Sequence, residues 1–332
     1  MRLWMILVAM LWAAPAPAAD RIRVVQGTTS TPNATERNYA DAITRRITRW
    51  LRELSIPHAV VTDERVAAGG LTGARVAILG YNPYPPPAEL AALTRFVKQG
   101  GKLIVCYGQE PALARALGMR LGDYAIDKRG TRWRVIAFDD AAAPLHVPGR
   151  VAQESRTIRP IYPVAPTARV IAQWENAAGQ RLADPACVLS PEGAWLSTVL
   201  REAGDNENKK QMLLALVAVF EPAAWKAAAA RQLRDAVTLG KYADFATTER
   251  ALRARAKGAA RDVVAPLLRQ AAAQQRALHA AFEEGKHPEV FKASRALSDH
   301  LVRAYVQARP PLDNTMAFRG VWEHSGKGLY PG

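Results

Sequence analysis

The chain is predicted to begin with a doubly wound, mostly parallel α/β sheet carrying a β extension. An α-helical segment follows, and then a lone strand that starts a further domain. Three observations carry this prediction. Strand-like and helix-like runs alternate from residue 22 to residue 122. Two continuous apolar runs, 75–80 (RVAILG) and 102–107 (KLIVCY), have the composition of strands covered on both faces. From residue 223 onward the chain turns to Ala, Leu, Arg and Gln at helical spacing.

Taken in order, residues 22–25 (IRVV) form a short strand ending at Gln26-Gly27-Thr28. Ala42, Ile43, Ile47, Trp50, Leu51 and Leu54 recur at helical intervals, which places a helix over 39–54. Strands follow at 58–62 and 75–80. Pro85-Pro86-Pro87 opens a helix over 88–99, since the fixed φ of proline suits a first turn, and Gly100-Gly101 ends it. A fourth strand covers 102–107, and a helix covers 111–117. Right-handed crossovers between such units make the sheet parallel.

From 127 to 200 the pattern changes to strand-like runs, 132–138 and 169–174 among them, divided by loops rich in Pro and Gly. This reads as an antiparallel extension packed on the first sheet. Residues 194–199 (AWLSTV) return to that sheet, and 209–220 form the closing helix. Breaks near Gly240, Gly258 and Gly285 divide 223–309 into three or four antiparallel helices. No heptad is sustained, which argues against a long coiled coil.

The first residues have the layout of a secretory signal peptide. Arg2 supplies the positive start, residues 3–14 are apolar, and Ala16-Pro17-Ala18 offers a cleavage site. An apolar run of about a dozen residues is too short to span a bilayer. The expectation is a secreted or periplasmic protein with no membrane contact after cleavage. Cys106 and Cys187 permit one disulfide at most, and their apolar flanks favour buried thiols instead.

The formal net charge is +15. Residues 223–312 contribute sixteen basic against eight acidic side chains, interspersed with alanine as on a solvated helix face. No basic-aromatic motif accompanies them, so nucleic acid is not expected as a partner. A weak affinity for anionic envelope polymers is compatible with this charge.

Cys106 closes the fourth strand just before a helix, where nucleophile elbows sit. Gly108 satisfies the demand for a small residue two positions on, but Ile104 violates the one two positions before. A thiol nucleophile also needs a base. Only His58 and His146 lie within the first 222 residues, and His287-Pro288-Glu289 falls in the helical segment. Cys106 is therefore expected to be a vestigial elbow, with no catalytic residue in the chain.

Gln26, Thr28 and Asn82 follow the first and third strands, at the carboxyl edge where ligands bind parallel sheets. They form a candidate ligand crevice; turn-making residues are the plainer account. No dinucleotide or phosphate-loop glycine pattern occurs, and no cofactor or metal is expected. Arg319, Trp322 and His324, in the terminal FRGVWEHSGKGLYPG, form a third set. At the mouth of a barrel an indole face stacks on sugar rings, while Arg and His hydrogen-bond hydroxyls.

Arg319-Gly320-Val321-Trp322 resembles the opening strand of the glycosyl hydrolase-like family 10 (family 10 glycosylhydrolase) domain. That group comprises exported bacterial TIM-barrel proteins. Val76-Ala77-Ile78-Leu79-Gly80-Tyr81-Asn82-Pro83 and Gly100-Gly101-Lys102-Leu103-Ile104 look like the class I glutamine amidotransferase-like domain that precedes some such barrels. A related domain is the trimerisation domain of certain β-galactosidases. The resemblance implies a signal peptide over 1–18, a glutamine amidotransferase-like α/β domain over 20–222, a helical connector over 223–312, and a truncated barrel from 316 to 332.

It also implies that the barrel carboxylates lie past Gly332, and that the intact protein acts on a polysaccharide or cell-envelope glycan. The chain itself would then be inactive, because glycoside hydrolysis needs a flanking pair of carboxyl groups. Two alternatives stay open. One is a stand-alone binding or homo-oligomerisation module using the sheet edge or the helices. The other is a Cys106-dependent amidotransferase-type hydrolase.

Overall fold

The computed structural model describes residues 21–202 and 204–308. The expectations placed on 1–18 and on 316–332, with Arg319, Trp322 and His324, lie outside the described residues. Two compact units part between Ala224 and Trp225.

The first unit is a mixed α/β structure built on one nine-stranded sheet. Its parallel half comprises β1 (Ile22–Gln26), β2 (Ala59–Thr62), β3 (Val76–Leu79) and β4 (Lys102–Cys106), connected through α1 (Ala34–Glu53), α2 (Asp63–Ala67) and α3 (Pro87–Lys98). α4 (Pro111–Ala116) then leads through β5 (Met119–Leu121) and β6 (Ala125–Ile126) into β7 (Trp133–Phe138) and β8 (Arg150–Ser155). Short β9 (Thr157–Ile158) and β10 (Ile161–Pro163) precede β11 (Arg169–Glu175), β12 (Arg181–Ser190) and β13 (Gly193–Leu196), and α5 (Asn206–Phe220) closes the unit.

The strand order is β2-β1-β3-β4-β13-β12-β11-β7-β8. Strand β13 pairs parallel to β4 and antiparallel to β12, so it is the hinge between the two halves. The extension therefore continues the sheet edge to edge instead of packing on its face. β10 pairs with β5, and β6 with β9, as two small separate ribbons.

Register explains the two covered faces. Val25, Leu79, Val105 and Trp195 lie side by side across the parallel strands. They are buried with Val66 of α2, Leu93 and Phe96 of α3, and Leu113 of α4. Val24, Ile78, Ile104 and Ala194 occupy the opposite face, because side chains alternate along a strand. Helix α1 covers that face. A Cβ at Gly80 would sit 2.6 Å from Ile47 and 3.0 Å from Ile43, so the close helix–sheet approach needs glycine there. Gly193 is tighter still, since a Cβ would lie 2.2 Å from the Leu103 carbonyl oxygen of β4.

Cys106 and Cys187 both pair with Leu196, from opposite sides of β13. Two strand spacings, roughly 9–10 Å, separate them. That exceeds the reach of a disulfide. Both are free, buried thiols.

Among the described residues the second unit holds four helices, α6 (Ala223–Val237), α7 (Phe245–Arg255), α8 (Ala260–Glu283) and α9 (His287–Gln307). Gly240, Gly258 and Gly285 stand in the breaks with positive φ, the left-handed geometry that glycine adopts without strain. Val264, Leu268, Ala271 and Leu278 of α8 are buried at helical intervals, as are Val290, Leu297, Leu301 and Ala304 of α9. Trp225 meets Phe291 edge to face at 5.6 Å. His287 and Pro288 form the first turn of α9, which accounts for that His-Pro-Glu run as helix initiation.

Candidate functional site

The loops after β1 and β3 are held by a single buried carboxylate. Asp63, the first residue of α2, accepts the backbone N–H groups of Thr28, Thr29 and Ser30 on Oδ2 at 2.7, 2.9 and 2.8 Å. Its Oδ1 accepts the Asn82 side-chain amide at 2.7 Å. The Thr28 hydroxyl donates to Glu64, and the Gln26 amide donates to Asp41. All three crevice residues expected from the sequence are thus engaged within the protein. None of them lines the large cleft described next.

Behind the clamp sits Glu89, buried in the first turn of α3 with its carboxyl group against that of Asp63. Burial, and next the charge of Asp63, push its pKa up to about 9. Glu89 is therefore a neutral acid at pH 7.

A cleft of about 770 Å³ opens at the carboxyl edge of the parallel strands. Tyr39 and Glu36 reach it from the first turns of α1, whose N-cap Asn33 accepts the Glu36 N–H at 3.0 Å. Tyr81 and Tyr84 come from the loop after β3, and Tyr107 from the turn after β4. The extension supplies Tyr124, Arg156 and Arg159, and the chain after β13 supplies Thr198 and Arg201. Both halves of the sheet therefore wall the cleft, in the position that open parallel sheets use for ligands.

The floor is an aromatic stack. Tyr81 lies parallel to Tyr107 at 6.0 Å and edge-on to Tyr39 at 5.1 Å. The Tyr81 hydroxyl donates to Glu36, and burial followed by that partner raises its pKa. Burial also raises Tyr107, with Tyr124 adding to the effect.

Tyr107 adopts φ of +56°, a left-handed conformation that costs a non-glycine residue about 1–3 kcal/mol. Its N–H is fixed on the Leu196 carbonyl at 2.9 Å. Gly108 has no room for a side chain, since a Cβ would meet Trp195 at 2.5 Å. The apex of the turn is thus Tyr107, one residue beyond the cysteine singled out by the sequence. Cys106 is the last residue of β4, buried, with its thiol pushed up to about 12 by desolvation. That is the opposite of an activated nucleophile. The cleft lining contains no histidine.

Tyr39, Tyr84 and Tyr124 are 38, 58 and 47% exposed, and they are the exposed aromatic side chains among the described residues. All three line this cleft. Sequence reasoning missed the tyrosines. The available signal was position, because Tyr81 and Tyr107 stand two residues and one residue beyond buried strands. Among the described residues, no group of three or more His, Cys, Asp or Glu is placed to hold a metal ion. No helix among them is long and apolar enough to cross a membrane.

No family model and no curated protein matches the chain. Solved structures that are similar include ThuA-like and glutamine amidotransferase-like folds and glycosidases. A ThuA-like protein of Bacteroides uniformis shares 12% identity over 62% of this chain and 93% of its own, with a TM-score of 0.47. A cold-adapted β-galactosidase of Rahnella sp. R3 shares 15% over 60% of this chain, with a TM-score of 0.45. A glutamine amidotransferase of Thermotoga maritima shares 13% over 63% of this chain and 93% of its own, with a TM-score of 0.34. The chain spans 31% of the length of the β-galactosidase.

Proposed function

We propose that the α/β unit is a non-catalytic saccharide-binding module of an exported, glycoside hydrolase-like protein that acts on carbohydrate. One observation carries this reading: the exposed aromatic side chains of the described residues converge on a cleft that holds neither a thiol nor a histidine. Exposed tyrosines clustered in one cleft suit a ligand with apolar faces and polar edges, and pyranose rings have both. Thr35 adds an exposed hydroxyl for the ring edges. The left-handed turn after β4 carries a phenol, Tyr107, at its apex, and the preceding thiol is buried. The export signal expected from residues 1–18, and the resemblance of Arg319-Gly320-Val321-Trp322 to the opening of a hydrolase-like barrel, supply the wider setting of this proposal.

The test is calorimetric titration of the purified chain with neutral and acidic oligosaccharides, paired with Tyr84→Ala and Tyr124→Ala. Each substitution is expected to weaken binding about tenfold, from a stacking contribution of roughly 1 kcal/mol plus lost contact area. Wild-type affinity in both variants overturns the reading. Glutamine hydrolysis that depends on Cys106, or glycoside hydrolysis that is lost when an internal Asp or Glu is changed, overturns its non-catalytic part.

A further inference from the structure

The cleft is unevenly charged. Arg156, Arg159 and Arg201 line it, against one carboxylate, Glu36, which already accepts from Tyr81. Several other arginines of the unit are matched with acids, as in Arg46–Glu202, Arg132–Asp184, Arg150–Glu175 and Arg181–Asp139. Among the described residues, no carboxylate pairs with any of the three cleft arginines. Arg159 stands out further. Its backbone N–H is fixed on the Ser197 carbonyl at 2.9 Å, and its Nε is buried with no acceptor. A buried guanidinium N–H without a partner is rare in a folded chain and calls for an acceptor. Guanidinium groups match planar oxyanions with paired hydrogen bonds. The positive field also reaches the floor, where Arg201 and Arg46 oppose the rise that burial imposes on the Tyr39 phenol.

We infer that the cleft selects an acidic saccharide, with its carboxylate or ester-linked anionic group anchored on Arg159 and flanked by Arg156 and Arg201. This rests on the saccharide-binding reading above and adds the ligand's charge to it. The tyrosines would hold the ring faces, and the arginines would set which ring is accepted.

The full chain is titrated with an oligogalacturonate, its carboxyl-reduced neutral counterpart and a sulfated oligosaccharide of equal length. Wild type, Arg159→Gln, Arg201→Gln and a surface control on α3, Lys98→Gln, are compared. The expected result is acid binding at least tenfold tighter than neutral binding. Arg159→Gln should weaken the acidic ligand on the order of 10–100-fold while leaving the neutral one within about twofold. If Arg159→Gln fails to fold, the exposed Arg201→Gln carries the comparison, with a smaller loss of about fivefold. Preference for the uronate or for the sulfated ligand identifies the anchored group, and either supports the inference. Equal affinity for acidic and neutral ligands overturns the inference and leaves the saccharide site standing. Equal losses in Arg159→Gln and Lys98→Gln assign the attraction to the +15 net charge and also overturn it. No binding of any oligosaccharide overturns the underlying reading.

Discussion

Replacing Glu89 with glutamine should stabilise the protein at neutral pH, and by an amount that depends on pH. The buried carboxyl has a pKa of about 9, against an ordinary 4.5. Between those values the unfolded chain has released the proton and the folded chain still holds it. The folded state binds more protons there, so stability falls as pH rises from about 4.5 to 9 and is level outside that window. Each pH unit inside it costs about 1.4 kcal/mol. At pH 7.5 the wild type has therefore lost on the order of 3 kcal/mol relative to pH 5 from this one residue.

Glutamine keeps the shape, is neutral, and does not titrate. Urea unfolding at pH 5.0, 6.5 and 8.0 can be followed by the fluorescence of Trp50, Trp133, Trp174 and Trp195, all buried in the same unit. The gap between Glu89→Gln and wild type should widen with each step. Other titrating groups are common to both proteins, so the difference isolates Glu89. A gap that stays constant from pH 5 to 8 would refute the buried neutral acid.

Three further outcomes follow from described contacts. Gly193→Ala should cost about 2–3 kcal/mol or more in urea unfolding, because the new methyl collides with the Leu103 backbone and forces β13 from β4. Ellman's reagent should find no fast-reacting thiol in the native protein and two after denaturation, since both cysteines are buried. One rapid native equivalent would contradict this. Lys209 is buried with its ammonium donating to the Arg201 and Gly204 carbonyls, and burial lowers its pKa to about 8 from 10.5. The unfolded chain binds more protons between those values, so wild-type stability should rise by up to about 3 kcal/mol from pH 8 to 10.5. Lys209→Met should lack that rise.

The parallel half was legible because its signals are local. An apolar run of five residues can be read as a buried strand, and Pro87 with Gly100 marks a helix whose observed span, Pro87–Lys98, differs by one residue at each end from the one expected. Helix α1 begins five residues ahead of the start that periodicity predicts, because its first turn is defined by the Asn33 cap and carries no apolar stripe. Helix α2 has only five residues, too few for a periodicity to show. Missing it mattered, because Asp63 and Glu64 on that helix take up the hydrogen bonds of Thr28 and Asn82 that otherwise look available to a ligand. The cleft itself is assembled from tyrosines at 39, 81, 84, 107 and 124. Such separations carry no spacing pattern, and only the folded crossovers bring them together.

Because β13 belongs to both pairings, the cleft is a joint between two independently variable pieces of chain. Tyr81, Tyr84 and Tyr107 hang from strands locked in place by helices on both sides, whereas Tyr124, Arg156 and Arg159 belong to the appended antiparallel segment. A graft exchanging that segment for another of equal register would keep the tyrosine floor while replacing the cationic wall. Ligand choice in this architecture can therefore drift without disturbing the parallel scaffold.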